Sequence, residues 1–349
     1  MNIRIYLNVL LIPLSWIYRI ICALRSAGYR IGILPVKRLD VPVVCVGNLT
    51  TGGTGKTPAV IMIAKKIIDL KQQPAILLRG YKRNSKGTKI VSDGFKIVAA
   101  YRQAGDEALM LSQELPSVPI IVDHDRIRGG REMVKRFQPG LILLDDGFQH
   151  HGIHRDMNIL MVDCLNPWGG GRLIPAGHLR EPLNAVKRAD VVVLTHGNLV
   201  SSAEIDDIKT IILRHNKSAH ILTSEHMPVQ LTGHGTSCAH KISFLREKKV
   251  TLLSAIGNTD SFTKTVALLG ASIVKINSYP DHYVFTQRDL DDIVSFSEKH
   301  NSIIVTTAKD AVRIPQQIHP INMLYVLHIV LHITEGEHLL FDALRKFLQ

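Results

Sequence analysis

The chain has 349 residues, 46% of them hydrophobic, with a formal net charge of +12. That length suits one large or two ordinary domains, and that apolar fraction excludes disorder and permits a sizeable core. Four cysteines (Cys22, Cys45, Cys164, Cys238) lie far apart without metal-type spacing, so buried free thiols in a reducing compartment are expected rather than a disulfide framework.

Charge is concentrated at the start. Residues 1–39 hold Arg4, Arg19, Arg25, Arg30, Lys37 and Arg38 and no Asp or Glu. The uncharged run Ile5–Tyr18 would span about 21 Å as a helix at about 1.5 Å per residue. A bilayer core needs about 30 Å. A helix lying in the membrane interface is therefore expected over 1–40, with Trp16 and the tyrosines at headgroup level and arginines on anionic lipid. A cleaved signal peptide fits less well, because Arg19 and Arg25 stand where small residues should be. A buried first helix is the bland alternative. Nucleic acid is not expected as a partner, since the basic residues are mixed with aliphatics instead of forming a polar stripe. No protein partner is evident.

Residues 41–215 read as a nucleotide-binding core. Apolar runs at Val43–Val46, Ala75–Leu78, Ile120–Val122, Leu141–Leu144, Ile159–Val162 and Val191–Leu194 have the continuous hydrophobicity of buried parallel strands. Helical patterns at Pro58–Leu70, Glu107–Leu115 and Gly129–Phe137 lie between several of them. The alternation predicts an α/β, doubly wound sheet, with ligands beyond the strands' carboxyl ends.

The first strand runs into Thr50-Thr51-Gly52-Gly53-Thr54-Gly55-Lys56-Thr57, then Pro58. This is the layout of a phosphate-binding P-loop. Glycines let backbone N–H groups turn in around a polyphosphate, the lysine adds a point charge, and the threonine hydroxyl can ligate Mg²⁺. The helix N-terminus faces the same anion, and Pro58 fits a first turn that needs no N–H there. Thr50 stands where the usual pattern has glycine. No guanine-reading N-K-x-D is present, so ATP is expected over GTP.

Two carboxylates, Asp145 and Asp146, end the strand Leu141–Leu144, a suitable place for a Mg²⁺-binding acid beside a P-loop. His150 follows close by. Asp106 starts a helix after Gly105; it reads either as an N-cap or as a carboxylate that orients and deprotonates an acceptor hydroxyl. Arg79–Lys86 is a basic loop that either holds anionic substrate groups or is simply solvated. Arg126, Arg128 and Arg131 flank another strand end, and Arg180 stands beside Glu181 after the glycines 169–171. His154-Arg155-Asp156 matches the start of a protein-kinase catalytic loop, but the Asn expected five residues on is Met161.

Residues 216–250 break the rhythm and read as a linker or extended ribbon. A smaller α/β domain is expected over 251–349, with strands Thr251–Ile256, Ser272–Ile276, Ile303–Val305 and Met323–Ile329 and helices near Ser261–Leu269 and Arg288–His300. Tyr279-Pro280-Asp281-His282 precedes the second of these helices, where Thr286 and Asp289 have the form of a capping box.

VPVVCVGNLTTGGTGKTP, RGYKR, GDEALML, LDDGFQHHGIHRD, GRLIPAGHLREPL, AIGN and YPDH come in the order and spacing of one family. The chain resembles the tetraacyldisaccharide 4'-kinases, the lipid A 4'-kinases of Gram-negative bacteria, from about residue 5 to about 315. Thr50 is no departure, since that family commonly lacks the glycine; its TEKD stretch reads Thr307-Ala308-Lys309-Asp310 here. The resemblance implies a peripheral enzyme on the cytosolic face of the inner membrane. It would move the γ-phosphate of ATP, with Mg²⁺, to the 4'-hydroxyl of a tetraacylated glucosamine disaccharide 1-phosphate. It also implies roles: Lys56 and Thr57 on phosphate and metal; Asp145, Asp146 and Glu181 at the metal; Asp106 activating the acceptor with support from His282. Arg126, Arg180 and His150 would surround the transferred phosphoryl group, with Tyr81 near the reaction centre. From the residues alone, a membrane-attached P-loop ATPase acting as a conformational switch is the alternative, and a nucleotide-binding module without turnover is a third reading.

Overall fold

The computed structural model describes residues 3–236, 238–315 and 323–348, with side chains from residue 11 onward. The chain forms two compact units, 1–225 with 331–349, and 226–330.

The first unit opens with helix α1 (Ile3–Arg30). The core elements follow in order: β1 (Val43–Asn48), α2 (Lys56–Asp69), β2 (Pro74–Leu78), β3 (Lys89–Asp93), α3 (Tyr101–Ala104), α4 (Asp106–Glu114), β4 (Pro119–Val122), α5 (Arg126–Phe137), β5 (Leu141–Asp145), β6 (Met157–Asp163), β7 (Val191–Thr195) and α6 (Ser202–His215). Strand β8 (His220–Gly233) then carries the chain into the second unit. The first unit's strands are ordered β8-β7-β6-β1-β5-β2-β4-β3. Every pairing in this series is parallel except β3 with β4. The central strands are buried on both faces, as all six residues of β1 and all five of β2, β5 and β7 show. That is why their sequences read as unbroken apolar runs. The order reverses direction at β1, so the ends of β1 and its neighbours flank a crevice of the kind that binds ligands in open α/β sheets.

The second unit holds β9 (Ala239–His240), β10 (Lys249–Ser254), α7 (Thr259–Leu268), β11 (Ser272–Ser278), α8 (Gln287–His300), β12 (Ile303–Thr307), α9 (Ala308–Ala311) and the start of β13 (Leu324–Glu335). Its parallel strands run β11-β10-β12-β13. Helix α8 starts with the capping box expected from Thr286 and Asp289.

Strand β13 brings the chain back to the first unit, where α10 (Glu337–Arg345) packs. The sequence assigned 251–349 to the smaller domain as one block. Residues 331–349 lie with the first unit because Leu331, Ile333, Leu340, Phe341 and Leu344 share a buried cluster with Val60, Ile63, Ala64 and Ile67 of α2. The stretch 216–250 holds two strands, β8 and β9, along with the end of α6's loop. Residues 316–322, part of the tail that the family resemblance did not reach, lie outside the described residues.

Helix α1 presents two faces. Leu14, Trp16, Ile17, Ile20, Ile21 and Leu24 are exposed, between 51% and 67%. Ser15, Tyr18, Cys22, Arg25 and Tyr29 recur at three- and four-residue spacing on another face. Tyr18 therefore differs from the expectation that placed it at headgroup level: its hydroxyl turns inward and donates to the Arg180 carbonyl at 2.8 Å. Side chains before residue 11 lie outside the described residues. Among the described residues, no helix is long and apolar enough to cross a membrane.

Candidate active site

Strand β1 ends at Asn48, and the loop after it reaches the N-terminus of α2 at Lys56. Gly52 (φ 113°) and Gly55 (φ 78°) turn the chain through conformations that disfavour side chains. Gly47 is needed for a different reason. A Cβ there would lie 2.6 Å from the Phe148 Cβ, so the strand could not approach the turn after β5.

Asp145 pairs in register with Val46, which places the two acids beside the loop. Asp146 stands in the left-handed region (φ 50°) and meets two cations. Lys56 Nζ is 3.6 Å from its Oδ1. Arg180 Nη1 donates to both its oxygens at 2.9 and 3.0 Å. Burial works against the charge of Asp146, but Lys56 and Arg180 outweigh it and hold the carboxyl at about 2. Asp145 is the opposite case. It is 2% exposed, and its Oδ1 has no hydrogen-bond partner. Burial, with the charges of Glu107 and Asp146, pushes it up to about 7.

The third predicted metal acid, Glu181, is engaged at both oxygens. His151 Nε2 lies 3.0 Å from Oε1, and Arg188 donates to Oε2. These partners hold its carboxyl below the usual range despite burial. Of the three acids, Asp145 alone keeps a carboxylate oxygen without a partner. An orphaned buried carboxylate oxygen, on the strand paired with the one that leads into the P-loop, is a donor of the kind a hard divalent cation takes, so these residues fit Mg²⁺. Mg²⁺ commonly takes one or two carboxylates along with substrate phosphate oxygens. Asp145 and Thr57 are the residues that would hold it, and its chemistry would be to neutralise charge on the phosphates.

Arg126 begins α5, capped by Asp125, and is 3% exposed. Its Nη1 donates to the Asp123 carbonyl at 2.7 Å, while its Nε is buried without a partner. Burial draws it down to about 10 against the pull of Asp146 and Asp145. Arg128 instead pairs with Asp123 at 2.7 and 2.8 Å, and Arg131 is exposed. His150 is half-buried; burial and the charges of Arg126, Arg25 and Arg155 lower its imidazole to about 4, so it is neutral at pH 7.

Asp106 is not an N-cap. Gly105 holds that position (φ 85°), and Asp106 is the first residue of α4, 5% exposed, with Oδ1 accepting from the Glu107 amide at 2.9 Å. A Cβ on Gly105 would lie 3.0 Å from the Tyr81 carbonyl, so the basic loop and the start of α4 touch through backbone. That loop is pinned by Asn84 N to the Arg102 carbonyl at 2.8 Å and by Ser85 Oγ to the Gln103 carbonyl at 2.6 Å. The Tyr81 side chain itself is 52% exposed.

The loop carrying Arg180 lies along the P-loop. Thr51 N donates to the His178 carbonyl and Arg180 N to the Leu49 carbonyl, both at 2.7 Å. Three residues to which the sequence assigned no role complete the frame. Gln149 Nε2 donates to the Asn48 carbonyl at 2.8 Å. Arg155 Nη1 clasps the turn after β5 through the carbonyls of Gly147, Phe148 and His150 at 3.1–3.2 Å. Arg188 sits 4.6 Å from the Phe148 ring centroid. Arg155 could have been suspected, because an arginine so near a turn crowded with carbonyls has acceptors at hand.

In the second unit, AIGN, YPDH and TAKD meet at the ends of β10, β11 and β12. His282 (φ 61°) donates its amide to the Ala255 carbonyl at 3.3 Å. Asp281 stands between His282 and Lys309, 3.7 Å from His282 Nε2 and 3.3 Å from Lys309 Nζ. Asp310 and Arg313, both buried, pair with each other and bind the Ala255 amide and carbonyl. Ala308, the departure from TEKD, opens the short helix α9.

The family model described as LpxK, tetraacyldisaccharide-1-P 4'-kinase, matches residues 7–349. The tetraacyldisaccharide 4'-kinase of Halothermothrix orenii is 35% identical over 334 residues, covering 90% of this chain and 86% of that protein. The one from Aquifex aeolicus is 36% identical over 304 residues, with 87% and 89% covered. A crystal structure of LpxK from Aquifex aeolicus in complex with ATP superposes with a TM-score of 0.77 at 30% identity, covering 98% of this chain and all of that one. The chain belongs to the tetraacyldisaccharide-1-phosphate 4'-kinase family.

Proposed function

We propose that the chain transfers the γ-phosphoryl group of ATP to the 4'-hydroxyl of a tetraacyldisaccharide 1-phosphate, the lipid A precursor, giving lipid IVA. The observation that carries this reading is the meeting of the P-loop lysine with Asp146 and Arg180 beside the partnerless oxygen of Asp145. That cluster offers cations to a polyphosphate and an oxygen donor to Mg²⁺, the parts that phosphoryl transfer uses for positioning and charge stabilisation. The loop 50–57 cradles the phosphates with the backbone N–H groups beyond Thr51, whose own N–H goes to the His178 carbonyl, and Lys56 lies on the phosphates. Arg126, Arg180 and neutral His150 surround the group in transfer. Asp106, buried at a helix start, orients and deprotonates the acceptor hydroxyl, and His282 assists. Tyr81 lies near the reaction centre.

The enzyme works on the membrane surface, peripherally, at the cytosolic face of the inner membrane. The exposed apolar stripe of α1, flanked by arginines, supports this, as interfacial helices bury such a face at the headgroup boundary. The test is incubation of the purified chain with γ-labelled ATP, Mg²⁺ and tetraacyldisaccharide 1-phosphate in mixed micelles. Label on the lipid is the expected result. Label released only as inorganic phosphate would favour the switch-like ATPase instead.

A further inference from the structure

Four residues of α1 make five contacts, and each ends on a loop of the proposed phosphoryl-transfer site. Ser15 Oγ donates to the Leu173 carbonyl at 2.9 Å and accepts from the Ala176 amide at 3.0 Å, fixing the loop that leads to Arg180. Tyr18 hydroxyl donates to the carbonyl of Arg180 itself at 2.8 Å. Arg25 Nη2 donates to the Gln149 carbonyl at 2.6 Å. The Tyr29 ring stacks on His151, with centroids 5.4 Å apart and 18° between planes.

The targets matter because of what they hold at their other ends. Arg180 grips both oxygens of Asp146. Gln149 ties the turn after β5 to Asn48, the last residue of the strand that leads into the P-loop. His151 holds Glu181, which neighbours Arg180 in sequence. Tyr18 thus touches Arg180 itself, Arg25 and Tyr29 touch the two neighbours of His150, and Ser15 holds the loop that leads to Arg180. A helix serving only as an apolar anchor needs none of these bonds. An inward face of Ser, Tyr, Cys, Arg and Tyr is also unlike the apolar stripe with which helices usually dock on a core.

We infer that α1 is part of the active-site frame, with Tyr18 and Arg25 as positioning residues: Tyr18 fixes the backbone from which Arg180 reaches Asp146, and Arg25 fixes the turn that carries Gln149 and His150. The inference rests on the phosphoryl-transfer reading of this site. Its chemical content is orientation, since transfer depends on reacting groups held within a fraction of an ångström.

The experiment uses the full chain and lipid-saturated micelles. The wild-type protein is assayed first, and no label on its lipid would sink the functional reading rather than this inference. Tyr18→Phe keeps the ring and removes the donor. It is expected to lower kcat about fivefold to tenfold, the scale of one lost hydrogen bond, with KM for ATP, vesicle partition and melting temperature unchanged. Arg25→Ala is expected to lower kcat as well, and Arg25→Lys, which keeps a donor, to recover part of it. Ile20→Ser, on the exposed face, is expected to weaken partition onto vesicles. Wild-type kcat in Tyr18→Phe, with loss confined to Tyr18→Ala, would mean that the ring only packs and would overturn the inference. So would a Tyr18→Phe defect seen in vesicle partition or melting temperature instead of kcat.

Discussion

Asp145 and Asp146 are neighbours in the chain with opposite electrostatic surroundings. Asp146 faces Lys56 and Arg180, whereas Asp145 is buried with one oxygen unmatched. The fold holds a proton on Asp145 more tightly than the unfolded chain, whose aspartates titrate near 3.9. Its contribution to stability is therefore full below about pH 4 and is lost as pH rises through about 7. Asp145→Asn removes that loss. The ligand-free variant is expected to melt several degrees higher than the wild type at pH 8 and no higher at pH 4, by calorimetry at both values. The same change is expected to cut phosphoryl transfer about 10²-fold or more, because the carboxylate proposed to hold Mg²⁺ is gone. Lys56→Ala is expected to cost a similar factor in single turnovers with labelled ATP. A folded Lys56→Ala protein at the wild-type rate would take the P-loop out of the mechanism.

At the scale of elements, packing decides what the sequence can disclose. The central strands were legible because burial on both faces forces unbroken runs such as Val43–Val46 and Leu141–Leu144. Strand β3 was not, since Lys89-Ile90-Val91-Ser92-Asp93 lies at the sheet's edge, with β4 on one side and only a bridge from Ser92 to Ile97 besides. Helix α6 went unassigned in the sequence, although Ser201 and Glu204 form a capping box at its start. Helix α10 gave only Leu340, Phe341 and Leu344 over nine residues, too short a pattern to assign to a partner. In the site, the P-loop and Asp145-Asp146 declared themselves by spacing. Gln149 and Arg188 did not, because their partners, the Asn48 carbonyl and the Phe148 ring, are distant in sequence. The importance of α10 can be checked: Leu344→Ala, at a fully buried position, is expected to destabilise the first unit by about 2–5 kcal/mol in urea unfolding.

Across the whole molecule, charge and apolar surface coincide at α1. Half of the net charge of +12 lies before residue 40, on a segment whose exposed face includes Trp16, Ile20 and Leu24. Binding to anionic vesicles is expected to weaken from 0.05 to 0.5 M salt without vanishing, because screening reaches the arginines but not the apolar contact. Vesicle flotation across that range checks it. Deleting residues 1–25 is expected to raise KM for lipid and also to lower kcat, since the bonds to Arg180 and Gln149 leave with the helix. Asp106 and His282 belong to different units. Asp106→Ala is expected to lower kcat about 10²–10⁴-fold with ATP affinity little changed, and the double variant with His282→Ala to be hardly slower if the two act together. Fully additive losses would mean independent roles.

The return of residues 331–349 to the first unit has a consequence for the order of folding. The second unit is one uninterrupted stretch, whereas the first unit's core waits for Leu340, Phe341 and Leu344. During synthesis, at about 5–20 residues per second, the inserted unit can close while the enclosing one still exposes the face of α2 that α10 will cover. The later-made unit thus finishes first, and the nascent kinase passes through a state with its nucleotide loop present and the helix behind that loop uncovered.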